Sequence, residues 1–214
     1  MKQHVVILAN SSREGARCIA GIDVQTGEWS RPVPADGGPI TWNLRNISGR
    51  EPELLEIVEM SVQNSGPDLG CQPENRQVNH VPWQHVGAMS VKDVLKYLES
   101  DAVILHNDDD SVAIDYFQTI PRQEWKSLQL IKSAKVTFYS TSWQGRKRWR
   151  ALIHHGDNKR LDLGLTDPML VERLNRNDGV SGSYLLTVSL AGPWSPDNIQ
   201  LKRCYKLVAG VIEI

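Results

Sequence analysis

The chain has 214 residues, enough for one large domain or two small ones. Apolar residues make up 40% and charged residues 23%, which excludes a wholly disordered chain. A formal net charge of -1 excludes a global field that draws nucleic acid or membrane, so a surface for a polyanion has to come from local clusters of Lys and Arg.

His4–Asn10 is a short β-branched run ending at Asn-Ser-Ser, which predicts a buried strand and a turn. Arg17–Val24 alternates as a second strand, and Gly21 in its middle predicts a bulge or sharp bend. Trp29–Val33 is a third strand, closed by Pro32, Pro34 and Gly37-Gly38. Leu54–Val62 reads as a half-buried strand with Val58, Met60 and Val62 inward. Residues 64–78 are poor in apolar side chains and read as a loop or linker. Ser90 followed by Asp93 opens a helix over 90–99, with Val91, Val94, Leu95 and Leu98 on one face. His106–Ser111 is an acidic interruption, and Pro121–Trp125 has the opening of a short helix.

From residue 128 the pattern is strand-like again. Leu128–Ser142 and Arg146–His155 flank Gln144-Gly145, and Arg160–Leu165 follows. Asp167-Pro168 caps and starts a helix near 167–174. Ser183–Leu190 and Lys202–Ile214 close the chain as strands. The fold expected is mainly β with a few short helices, built as two small barrels, 1–115 and 116–214. Cys18–Ile22 (CIAGI) echoes Leu207–Val211 (LVAGV), a hint of paired barrels.

Three cysteines, Cys18, Cys71 and Cys204, with no CxxC spacing, point away from a disulfide framework or a zinc site. The run Val5–Ala9 is too short for a signal-peptide core, and no stretch approaches a membrane span, so a cytoplasmic protein without a membrane partner is expected.

The strongest chemical pattern is Ser142–Arg150 (SWQGRKRWR). If Gln144-Gly145 is a two-residue hairpin turn, Trp143 faces Arg146, Thr141 faces Arg148 and Tyr139 faces Arg150, all on one side of the ribbon. Val136, Phe138, Trp149, Ala151 and Ile153 then fill the other side. Arginines that neutralise phosphates beside rings that stack on bases suit single-stranded nucleic acid. The same pattern suits a solvated strand whose arginines guard an edge. Asn10–Arg17 reads as a polar loop carrying Arg13 and Arg17, with Arg31 nearby. Its backbone amides could hold a phosphate, or it is an ordinary connection. His106 with Asp108–Asp110 is a weak metal candidate, better read as a solvated acidic loop. GxSxG, Walker, HExxH and GxGxxG motifs are absent. A non-enzyme without cofactor or metal is therefore expected.

Residues 7–33 (ILANSSREGARCIAGIDVQTGEWSRPV) are similar to the opening of the dual OB (DuOB) domain family. Arg160–Pro168 (RLDLGLTDP) resembles its second characteristic segment, and Tyr184–Trp194 and Cys204–Ile214 are compatible with it. The matching positions are Arg13, Arg17, Gly21, Gly27, Trp29, Arg31 and Pro32, then Thr166, Asp167 and Pro168. Gly27, Pro32 and Pro168 read as structural, and Asp167 as a helix cap. The resemblance implies two OB-like barrels and nucleic-acid recognition, in a family associated with bacterial conflict (anti-phage) gene neighbourhoods. It implies a binding subunit beside a separate effector protein from the same operon. The function expected is a non-catalytic module that binds single-stranded DNA or RNA in a defence system. The alternatives are a nucleotide or small-ligand sensor and a protein adaptor.

Overall fold

The computed structural model describes residues 1–13, 15–99, 103–156, 159–180, 182–195 and 201–214; of Arg13 it describes the backbone. The chain divides into two compact units. Unit 1 comprises Met1–Asp68 and Glu74–Tyr97, and unit 2 comprises Leu69–Pro73 and Leu98–Ile214.

Unit 1 is built on strands β1 (Lys2–Arg13), β2 (Ala16–Asp23), β3 (Trp29–Val33), β4 (Glu56–Ser61), β5 (Asn75–Gln77) and β6 (Gln84–Ala88), with short helices α1 (Trp42–Arg45) and α2 (Val91–Val94). The sheet order is β5-β3-β2-β1-β4-β6. Its core gathers Val5, Ile7, Ile19, Ile40, Val58, Met60 and Trp83. The β1–β2 register slips between Ile7 and Ala9, opposite Gly21, which places a bulge beside the glycine. A Cβ on Gly21 would lie 2.0 Å from the Val6 carbonyl oxygen, so only glycine allows this approach. Ser90 caps α2 by accepting from the Asp93 amide, and one 3-10 turn, Leu95–Tyr97, continues it.

Unit 2 holds β7 (Ser111–Ala113), β8 (Leu128–Ser133), β9 (Val136–Trp143), β10 (Arg146–His155), β11 (Lys159–Leu165), helix α3 (Pro168–Asn175), β12 (Tyr184–Leu190) and β13 (Arg203–Glu213). Its order is β8-β12-β13-β11-β10-β9, with β7 on β13 and β11 parallel to β13. The core includes Val112, Phe117, Ala151, Ile153, Leu161, Leu163, Leu170, Tyr184 and Val208. The Asp167 carboxylate accepts from the Met169 and Leu170 amides at 3.0 and 3.2 Å, and its other oxygen accepts from Val211 at 2.9 Å. One side chain thus caps α3 and ties it to β13.

The mainly β class stands, and several expectations need correction. The strands form two open sheets with edge strands rather than closed barrels. Asn10–Arg17 is not a loop. Its residues extend the β1–β2 ladder down to Arg13↔Ala16, and Gly15, at φ 80°, turns the chain. Residues 64–78 are not all loop, because β5 pairs in parallel with β3. The run 128–142 is broken at Ser133–Lys135, where the Ser133 hydroxyl accepts from the Lys135 amide at 3.3 Å and turns the chain. The helix expected at Pro121–Trp125 is a single 3-10 turn, Arg122–Glu124. The CIAGI and LVAGV segments both sit at a register slip, the second between Thr187 and Val188 opposite Gly210.

Candidate functional site

Gln144 and Gly145 have φ 49° and 73°, so both central residues of the β9–β10 turn are left-handed. That is the type I′ geometry whose twist suits a two-residue hairpin. The register follows from it: Trp143 pairs with Arg146, Thr141 with Arg148 and Tyr139 with Arg150. Ala151 and Ile153 are fully buried, and Val136, Phe138 and Trp149 pack against the same core. Tyr139, Thr141, Trp143, Arg146, Arg148 and Arg150 occupy the opposite, outer face.

That face has three parts. At the tip, residues 140–148 are all exposed, and Trp143 is 58% exposed. The Arg148 guanidinium stands 5.9 Å from the Trp143 ring centre. On the inner side Lys147 lies 4.5 Å from the Trp149 ring, whose Nε1 donates to Asn175 at the end of α3. Among the described residues, Arg146, Lys147 and Arg148 have no carboxylate partner. In the middle, Arg150 donates through Nε to the Asp162 carboxylate at 2.9 Å and through Nη2 to the Asp162 carbonyl at 2.8 Å. The Tyr139 hydroxyl donates to the same carboxylate. This hydrogen bond, with burial adding to it, holds the Tyr139 phenol above its ordinary range. At the far end His154 pairs with Arg160 across β10–β11. Desolvation, then Lys135 and Arg160, push the His154 imidazole down, so it stays neutral where unshifted histidines begin to charge.

The candidate arginines of unit 1 are differently placed. Arg17 donates to Glu51 at 2.7 Å and to the Ser12 hydroxyl at 2.6 Å. Burial pushes the Glu51 carboxyl up, but the Arg17 and Arg45 guanidiniums outweigh it and hold it below the usual range. Arg31 is 5% exposed and donates to Asn75 at 3.2 Å. Arg13 ends β1, and its side chain lies outside the described residues. The structure therefore brings Tyr139, Trp143, Arg146, Arg148 and Arg150 together. Arg17 and Arg31 are held in unit 1 by partners of their own.

Two participants escaped the sequence reading. Lys147 belongs to the basic run Ser142–Arg150, but alternation turns it to the inner side, against Trp149. Asp162 was visible within RLDLGL, but only the pairing of β11 with β10 shows that it neutralises Arg150.

The acidic loop is also explained. Lys206 is 2% exposed, and its Nζ donates to the Asn107 carbonyl and Oδ1 at 2.7 and 2.8 Å. Burial lowers Lys206 to about 8, against the opposing pull of Asp109, Asp108 and Asp110. Lys159 donates to Asp108 at 2.7 Å. The aspartates thus compensate a buried lysine. A recess of about 130 Å³ beside them is lined by Ile104, Asn107, Asp108, His155, Lys159, Arg160 and Leu161. Among the described residues, no group of three or more His, Cys, Asp or Glu is placed to hold a metal. No helix of the described residues is long and apolar enough to cross a membrane.

A family model described as the dual OB-containing domain matches residues 3–211. No curated protein matches the chain. A domain of this type suits a binding module.

Proposed function

The chain belongs to the dual OB-containing domain family, and from that premise we propose that it is a non-catalytic module binding single-stranded DNA or RNA through the exposed β9–β10 tip, reached from both of its sides, and the outer face of β9–β11 that continues it. The reading rests on one observation: an exposed hairpin tip with Trp143 accessible and Arg146, Lys147 and Arg148 without carboxylate partners among the described residues. A base stacks on the Trp143 ring while the three cations meet phosphates on either side. Lys135 and Arg160, beside the neutral His154, extend the positive track past the Arg150–Asp162 pair. We place the Arg17 and Arg31 pairings in folding rather than binding. The resemblance to a family of conflict neighbourhoods supports a cytoplasmic recognition role in bacterial defence, beside a separate effector protein.

Fluorescence anisotropy with a labelled single-stranded oligonucleotide over a salt series tests the reading. Replacing Arg146, Lys147 and Arg148 together by Ala should weaken binding across unrelated sequences and flatten the salt slope by about two units, at roughly 0.7 per lost contact. Unchanged affinity and slope in a folded triple variant would show the tip to be solvated decoration. A thermal shift with mononucleotides and none with oligonucleotides would favour a small-ligand sensor instead.

A further inference from the structure

Cys71 and Cys204 are 133 positions apart and both 0% exposed, yet they belong to the same core of unit 2. The segment Leu69–Pro73 carries Cys71 into that core. It turns there through Leu69 and Gly70, at φ 51° and 77°. Gln72 Nε2 donates to the Leu190 carbonyl at 2.9 Å, and the Cys71 thiol reaches the Ala191 carbonyl at 4.0 Å. The Ala191 amide in turn donates to the carbonyl of Tyr205, the neighbour of Cys204 on β13, at 2.8 Å. The segment is thus docked with Cys71 against the start of β13. The neighbouring Cys71 thiol outweighs burial and draws the Cys204 thiol down. Both cysteines are free thiols in this structure.

We propose that Cys71 and Cys204 form a covalent modification site, an intramolecular disulfide that an external low-molecular-weight disulfide installs and a thiol removes. Local opening of Leu69–Pro73 admits the reagent, since both sulfurs are covered in the closed state. One cysteine thiolate attacks the reagent disulfide, leaving a mixed disulfide and releasing one reagent thiol. The second cysteine then attacks the protein sulfur of that mixed disulfide and releases the other reagent thiol. The two cysteines together lose two protons and two electrons, and the reagent disulfide is reduced to two thiols. The bond latches Leu69–Pro73 onto β13 and prevents the opening that made it.

Incubation of the full chain with oxidised glutathione under native conditions, followed by unfolding, alkylation and peptide mapping, tests the site. The expected product joins the Cys71 and Cys204 peptides, reverts with thiol and leaves Cys18 alkylated. Oxidation should also raise the melting temperature, by about 10–20 °C for a loop of this length, and should not do so in Cys71→Ser. Mapping of the wild-type chain decides the matter even if that variant folds poorly. Recovery of both thiols fully alkylated, separate glutathione adducts on each, or a cross-link through Cys18 would overturn the proposal.

Discussion

Trp143 and Trp149 lie on the same hairpin but belong to different chemistries. Trp143 is 58% exposed, whereas Trp149 is half-buried against the core and donates to Asn175. Trp143→Ala should leave the unfolding free energy within about 0.5 kcal/mol and cost about 1–3 kcal/mol of oligonucleotide binding. Trp149→Ala should cost about 1–3 kcal/mol of stability, through lost packing and an orphaned Asn175. Denaturation and anisotropy on both variants separate the two roles, and exchanged outcomes would reverse the faces. Gly21 is a stricter case. Its missing Cβ would stand 2.0 Å from a backbone oxygen that the bulge holds in place. Gly21→Ala should therefore lower stability by at least about 3 kcal/mol, read as a shift in the denaturation midpoint. The need for glycine was legible in the sequence as a glycine in mid-strand. Which carbonyl fills the space was not, because the partner strand was unknown.

At the scale of elements, the β9–β10 hairpin was legible because its turn demands two left-handed residues. Once that turn is placed, alternation assigns every side chain to a face. The break at Ser133–Lys135 was hidden, since it depends on a hydroxyl bond and no Gly or Pro marks it. β5 was hidden too. Asn75-Arg76-Gln77 has no apolar alternation, and its place depends on parallel pairing with β3 and on Asn75 donating to the Pro67 carbonyl. The lateral pairing of β11 carries a consequence for binding. Asp162 holds both Arg150 and Tyr139 and so keeps the middle of the outer face neutral. Asp162→Asn removes that charge at similar size and frees Arg150 for a phosphate. Oligonucleotide affinity should rise and the salt slope steepen by about 0.7. A slope that stays unchanged while the variant remains folded would place the bound strand at the tip alone.

At the scale of the whole molecule, the net charge of -1 hides an uneven distribution. In unit 1, Arg17 and Arg45 share Glu51, and Arg50 pairs with Glu56. In unit 2 the aspartates of the acidic loop gather around a lysine that composition alone would place on the surface. Lys206 is buried with its charge and titrates at about 8, against 10.5 for an ordinary lysine. The folded-state value is lowered, so between those values the unfolded chain keeps a proton that the folded chain has released. Stability from this group therefore rises as pH climbs through the window from about 8 to 10.5, and the cost of burying the charge is full below it. The size is about 2–3 kcal/mol at the upper end. Lys206→Met cannot titrate. Subtracting its unfolding free energy from that of the wild type at each pH isolates the group from the other lysines and from Tyr139 and Tyr184, which are both raised. The difference should increase in favour of the wild type from pH 8 upward. A flat difference across the window would mean that Asn107 and the three aspartates hold Lys206 fully charged, and that the acidic loop compensates its burial completely.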